Sequence, residues 1–303
     1  MQLNWTGIYP ALTTKFNPDG SLDFSLFEKN LAAQMDAGVN GIILGGTLGE
    51  ASVLSTEEKE ILVKLAIKKT AGKIPVILNV AEGSTRDAIW QVSLAKRWEA
   101  HGVMLLPPMR YKPDERELTQ YFTDIAASTD LPIMIYNNPV DYNTEVTLEV
   151  FEALLPCRNI EAVKESTRDI TNITRMKNRF GDRYKILCGV DTLAFESLCA
   201  GADGWVAGLV CAFPNETVAI YKLVQQGRYA EALSIYRWFM PLLELDIHPK
   251  LVQYIKMAEA AVGLGAEHVR PPRLSIIGKE RSLVEKTIND ALKTRPEIPA
   301  TLE

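Results

Sequence analysis

Lys164 closes the apolar run Ile160-Glu161-Ala162-Val163 and is followed by Glu165-Ser166. A lysine walled in by apolar residues is desolvated, which favours its neutral amine, and a neutral amine attacks a carbonyl carbon to form a Schiff base. The plain alternative at a strand end is a lysine whose stem lies on apolar surface while its ammonium reaches water. Tyr136, in Ile135-Tyr136-Asn137-Asn138-Pro139, ends another such run. Its phenol is suited to carry a proton to and from carbinolamine and imine intermediates, although a buried tyrosine is also an ordinary packing residue. A third segment, Gly45-Gly46-Thr47-Leu48-Gly49-Glu50, combines the Thr47 hydroxyl with glycines that let backbone N–H groups approach an anion. It fits either a carboxylate cradle or a tight turn between a strand and a helix.

These segments need a scaffold that brings them together. Short apolar runs at 8–12, 41–44, 75–79, 103–106, 132–136, 160–164, 185–188 and 205–207 alternate with amphipathic stretches. Leu118, Tyr121, Phe122 and Ile125 keep the i, i+3, i+4, i+7 spacing of one buried helix face. Ser55 with Glu58 has capping-box form, and Gly72, Gly102 and Gly181 punctuate helix ends. Strands apolar on both faces, alternating with helices, predict an α/β fold with a parallel sheet covered by helices. Eight such units predict a closed (β/α)8 TIM barrel. An open doubly wound sheet is the alternative, because periodicity does not show closure. In a barrel the reactive side chains occupy the C-terminal strand ends, and Tyr136 and Lys164 would end adjacent strands. After Pro214 the pattern is wholly helical. The expected division is a catalytic barrel over residues 1–225 and a C-terminal helical extension over 226–303 packed on it, with no Gly-, Ser- or Pro-rich linker between them.

Bulk properties exclude other classes. With 303 residues, 47% of them hydrophobic, the chain can bury a sizeable core. A net charge of -5 argues against a nucleic-acid partner, which needs a basic face, so a small molecule is expected. Met1-Gln2-Leu3-Asn4-Trp5 has no basic stretch leading into an apolar run, and no window is long and apolar enough for a membrane span. A cytoplasmic location without membrane association is therefore expected. Cys157, Cys188, Cys199 and Cys211 lie in apolar stretches without close pairing and are expected to be buried free thiols. The scattered His101, His248 and His268 lack ligand spacing, so no metal site is expected.

Taken together, the segments resemble the family of dihydrodipicolinate synthase and N-acetylneuraminate lyase, barrel enzymes that join a lysine to a 2-oxo acid as a Schiff base. The likeness runs from Tyr9-Pro10-Ala11-Leu12-Thr13-Thr14-Lys15-Phe16 and Asp19-Gly20 through Gly46-Thr47-Leu48-Gly49-Glu50, Tyr136-Asn137-Asn138-Pro139 and Lys164-Glu165-Ser166 to Gly189-Val190-Asp191 and Gly201-Ala202-Asp203-Gly204. The resemblance implies Lys164 as imine former, Tyr136 as proton shuttle, and Thr47, Gly46 and the Leu48 backbone as the seat of the substrate carboxylate. Asn138 and Val206 should line the same pocket. It implies no cofactor beyond the covalent imine on Lys164, since the protonated imine is itself the electron sink. It also implies a homotetramer built as a dimer of dimers.

Departures from the family pattern bear on substrate choice. Where the synthase carries an arginine that grips a second carboxylate, this chain has Asp141, which offers no bidentate grip and repels an acid. Leu48 removes a hydroxyl from the usual Gly-Thr-Thr-Gly-Glu loop. The partner-subunit tyrosine that completes the usual proton relay aligns with Arg110, and Tyr111 is one residue away, so either Tyr111 rebuilds the relay or it is absent. The combination of Tyr136-Asn137-Asn138-Pro139 with Leu106-Pro107-Pro108-Met109-Arg110-Tyr111 looks most like the 1-pyrroline-4-hydroxy-2-carboxylate deaminases of hydroxyproline catabolism, which dehydrate and deaminate a cyclic imine to 2,5-dioxopentanoate. Alternatives are 4-hydroxy-tetrahydrodipicolinate synthase, a 2-keto-3-deoxy sugar acid aldolase or dehydratase, and a non-catalytic metabolite-binding member.

Overall fold

The computed structural model describes residues 3–299. Eight parallel strands form the centre: β1 (Gly7–Pro10), β2 (Ile42–Leu44), β3 (Val76–Val80), β4 (Gly102–Leu105), β5 (Ile133–Asn137), β6 (Ile160–Glu165), β7 (Lys185–Cys188) and β8 (Gly204–Ala207). Nearly every strand position is buried, as continuous Val, Ile, Leu and Ala runs covered on both faces require. Each strand bonds its sequence neighbour from β2 to β8, and β8 bonds β1. A parallel bridge from Ala11 to Ile43, with the Leu12 amide donating to the Ile43 carbonyl at 3.0 Å, joins β1 to β2. That contact closes the circle and excludes the open doubly wound sheet. All eight expected strands are present in a (β/α)8 TIM barrel.

The outer helices follow local signals. Helix Glu115–Ala127 buries Leu118, Tyr121, Phe122 and Ile125, and Asp114 with Glu117 caps its start reciprocally. Helix Thr56–Thr70 begins on the Ser55–Glu58 capping box. Gly102 is a correction: the preceding helix ends at Arg97 with Trp98 as its cap, and Gly102 opens β4. The cysteines also differ from expectation. All four are free, and Cys188 and Cys211 are buried, but Cys157 is only half-buried and Cys199 is exposed because it ends the short surface helix Ala194–Cys199.

Helix Pro214–Gln225 follows β8, and the C-terminal extension adds helices Tyr229–Leu243, Leu251–Ala261 and Gly278–Lys293. Helix Leu251–Ala261 sends two buried charges into the loops above β1 and β2. Lys256 pairs with Glu50 and donates to the His268 carbonyl at 2.6 Å. Glu259 receives Lys15 at 2.5 Å and the Thr13 hydroxyl at 2.8 Å. Buried charges persist only when paired and hydrogen-bonded, so these pairs fix the extension against the C-terminal mouth. No helix among the described residues is long and apolar enough to cross a membrane.

Candidate functional site

The C-terminal ends of the strands open into a cavity of about 870 Å³, the size of a small-molecule site. Lys164 lies in its wall with 8% of its surface exposed. Its Nζ stands 3.9 Å from the centre of the Tyr136 ring, because the two residues are opposite each other in the β5–β6 register. Desolvation lowers the Lys164 pKa, opposed by Tyr142, Asp246 and Asp191. Burial thus favours the free amine that attacks a carbonyl. Room for the side chain comes from Gly189 at the end of β7, where a Cβ would fall 2.6 Å from Lys164 Cε and 2.1 Å from Ser166 Oγ.

Tyr136 has its phenol pKa raised, first by burial, so it is a neutral hydroxyl able to donate. The Asn138 amide donates to that hydroxyl at 3.0 Å and to Asp141 at 2.7 Å. Asn138 also caps the short helix Pro139–Tyr142, its side-chain oxygen accepting from the Asp141 amide. This turn returns Tyr142 to the mouth. The Tyr142 and Thr47 hydroxyls are 3.0 Å apart, and the Tyr142 ring meets Tyr136 edge-on at 5.7 Å. Thr47, Tyr142 and Tyr136 therefore stand in sequence along the mouth, with Lys164 against the Tyr136 ring. Among the described residues, the Thr47 and Leu48 amides donate to no other group of the protein, which leaves both free for an anion. The Leu48 side chain is buried and turns toward Gly208. Gly46 and Val206 also line the cavity.

Asp141 sits exposed at the rim, 3.8 Å from the Arg168 guanidinium. The carboxylate thus does not stand there alone, and Arg168 supplies a cation that the sequence comparison with an arginine at position 141 missed. Arg110 and Tyr111 are not gathered into this cavity. Arg110 lies beside Gly83, Tyr111 is 55% exposed, and Met109 is their segment's contribution to the wall. Within the chain, the tyrosine hydroxyl next to Thr47 belongs to Tyr142, not Tyr111. Its one local signal was the Asn138-Pro139 pair, which starts a helical turn.

Asp246 had no signal as a site residue in the pattern of its own segment, and Asp191 was marked only as the end of the Gly189-Val190-Asp191 motif. Asp191, at the end of β7, accepts from the Trp205 indole at 2.8 Å and from the Gly208 and Leu209 amides, and so shapes the turn after β8. Asp246 comes from the 3-10 turn Glu244–Ile247 of the extension and reaches the cavity over Gly208. Burial first, then the charge of Asp191, raises its pKa well above the usual carboxylate range.

The comparisons with known proteins agree with this geometry. The model of the "Dihydrodipicolinate synthetase family" matches residues 4–291. The chain is 32% identical to a 4-hydroxy-tetrahydrodipicolinate synthase of Exiguobacterium sibiricum over 89% of its length and 92% of the relative's. A protein of the same name from Endomicrobium trichonymphae is 30% identical over 94% of this chain and 98% of its own. Among solved structures, a dihydrodipicolinate synthase from Bacillus anthracis superposes with a TM-score of 0.91 at 26% identity, covering 98% of this chain and 100% of that one. The family match over almost the whole chain, on a barrel whose buried lysine lies under a tyrosine, means that the protein belongs to the dihydrodipicolinate synthetase family and is a Schiff-base lysine lyase.

Proposed function

We propose that this lyase forms an imine between Lys164 and a small 2-oxo acid or cyclic imine and then eliminates a hydroxyl group, with 1-pyrroline-4-hydroxy-2-carboxylate as the substrate. Lys164 attacks C2 of the ring. Loss of a C3 proton to water gives the enamine, which expels the C4 hydroxyl as water, and hydrolysis releases ammonia and 2,5-dioxopentanoate. Thr47 and the amides of Gly46, Thr47 and Leu48 hold the substrate carboxylate. Tyr136, positioned by Asn138, moves protons at C2, and Val206 walls the pocket. Arg110 and Tyr111 act at the site only across a subunit contact, in a homotetramer formed as a dimer of dimers. The observation that carries the reading is the Asp141 carboxylate at the rim of a cavity otherwise suited to a 2-oxo acid. It disfavours a second substrate that brings its own acid group.

A second reading is 4-hydroxy-tetrahydrodipicolinate synthase, which the names of the relatives favour. Arg168 at the rim supports it, since a guanidinium can receive a second carboxylate. Incubation with each substrate separates the two: release of ammonia from the hydroxylated cyclic imine supports the first. Condensation of pyruvate with aspartate semialdehyde, with no ammonia from the imine, would replace it by the second.

A further inference from the structure

The chemistry proposed above leaves one demand unmet. Hydroxide is a poor leaving group, so expelling the C4 hydroxyl needs an acid within reach of the bound ring. Tyr136 and Thr47 are already committed to the imine and the carboxylate. Over Gly208, just after β8, the extension delivers Asp246 into the cavity wall. No hydrogen bond or ion pair with another group occupies its carboxyl among the described residues. A Cβ on Gly208 would lie 2.5 Å from Asp246 Oδ1, so glycine at that position is what admits the carboxyl group.

We infer that Asp246 is the general acid that protonates the departing hydroxyl, a role that rests on the hydroxyl-eliminating reading. The enamine nitrogen of Lys164 pushes its lone pair to form the C2 iminium, the C2–C3 electrons become the C3–C4 double bond, and the C4–O bond breaks. The oxygen takes the Asp246 proton and leaves as water, and the new carboxylate faces the iminium cation. The groups surrounding Asp246 favour this cycle. Asp191 from the end of β7 and Asp141 from the rim hold its proton on. Lys164 on β6 and Arg168 after it pull the other way, and desolvation outweighs both. Tyr136 and Tyr142 face it from the β5 side, and His248 and Arg273 also border the cavity.

The test compares wild type, Asp246→Asn and Asp246→Glu on 1-pyrroline-4-hydroxy-2-carboxylate and on its 4-chloro analogue, whose chloride leaves without a proton. Imine formation is followed separately by borohydride trapping of pyruvate. Asp246→Asn is expected to trap pyruvate and to lose about 100-fold or more in kcat on the hydroxy substrate, far less on the chloro analogue. Asp246→Glu, which keeps an acid, retains part of the activity. In wild type, kcat on the hydroxy substrate falls as pH rises through the Asp246 pKa, and that limb is missing on the chloro analogue. Equal slowing on both substrates, or full activity of Asp246→Asn on the hydroxy one, overturns the role of Asp246 alone. If wild type traps pyruvate but leaves the hydroxy imine untouched, the functional reading falls and this inference falls with it.

Discussion

Tyr136 and Lys164 face each other across the β5–β6 ladder, with the lysine nitrogen 3.9 Å above the centre of the phenol ring. A ring face attracts an ammonium but offers it no hydrogen bond, and it is desolvation by burial that lowers the pKa of the amine. The same register places the Asn137–Glu165 pair one step further on. Asn137 holds the following loop through the Val146 amide and carbonyl at 2.9 and 3.1 Å, which steadies the segment that carries Tyr142.

Lys164→Ala is expected to abolish turnover and to add no mass when pyruvate and borohydride are supplied, whereas wild type gains a single reduced adduct at Lys164. Peptide mass spectrometry reads this directly. An adduct at any other lysine would remove the assignment.

Lys164→Met should make the protein more stable at neutral pH while destroying activity. The folded-state pKa of Lys164 is depressed from the ordinary 10.5. The native state therefore binds fewer protons than the unfolded one, and stability rises with pH up to the unfolded value. At neutral pH the buried amine is a net cost, and removing it raises Tm by about 2–4 °C for each kcal/mol recovered. Thermal melts at pH 7 and pH 10 check the sign: the gain shrinks at the higher pH.

Tyr136→Phe keeps the ring over Lys164 but removes the hydroxyl proposed to carry protons, so kcat is expected to fall by about 10²-fold or more. Tyr142→Phe interrupts the contact with Thr47 and is expected to lower kcat more than Tyr111→Phe does. The reverse order, measured with purified variants in one assay, would return the relay to Tyr111.

Gly208→Ala should leave the barrel folded and cost activity. Its φ of -100° suits any residue, while the added Cβ would lie 2.5 Å from Asp246 Oδ1 and push that carboxyl aside. Circular dichroism with steady-state kinetics separates this from unfolding.

Lys256→Met leaves the buried Glu50 with only the Arg270 amide at 3.2 Å and the Arg273 guanidinium at 3.9 Å, so the loss stays below the about 3–5 kcal/mol of a fully broken buried pair. Glu50 ends the Gly46–Glu50 loop in a left-handed conformation, φ 51°, so loosening it should also weaken binding of the substrate carboxylate. A fall in Tm together with a raised KM is the expected result.

Much of this was written locally. Runs such as Ile133–Asn137 and Ile160–Glu165 specify strands because every position is apolar enough to be covered on both faces, and the Ser55–Glu58 box marks a helix start within four residues. Lys164, Tyr136 and Thr47 were legible because a reactive residue at the end of an apolar run stands out against its neighbours. Barrel closure was decided by tertiary structure, since the Ala11–Ile43 bridge depends on strand tilt and not on pattern. So were Tyr142 beside Thr47, Arg168 beside Asp141, and Asp246 over Gly208. Each joins residues 27 to 95 positions apart in the chain, and such contacts leave no periodic trace in the segments that make them. The sequence by itself determined the barrel strands and singled out the lysine that ends β6 in the cavity wall. Only the folded chain decided which acids and hydroxyls surround it, because burial and proximity set their protonation.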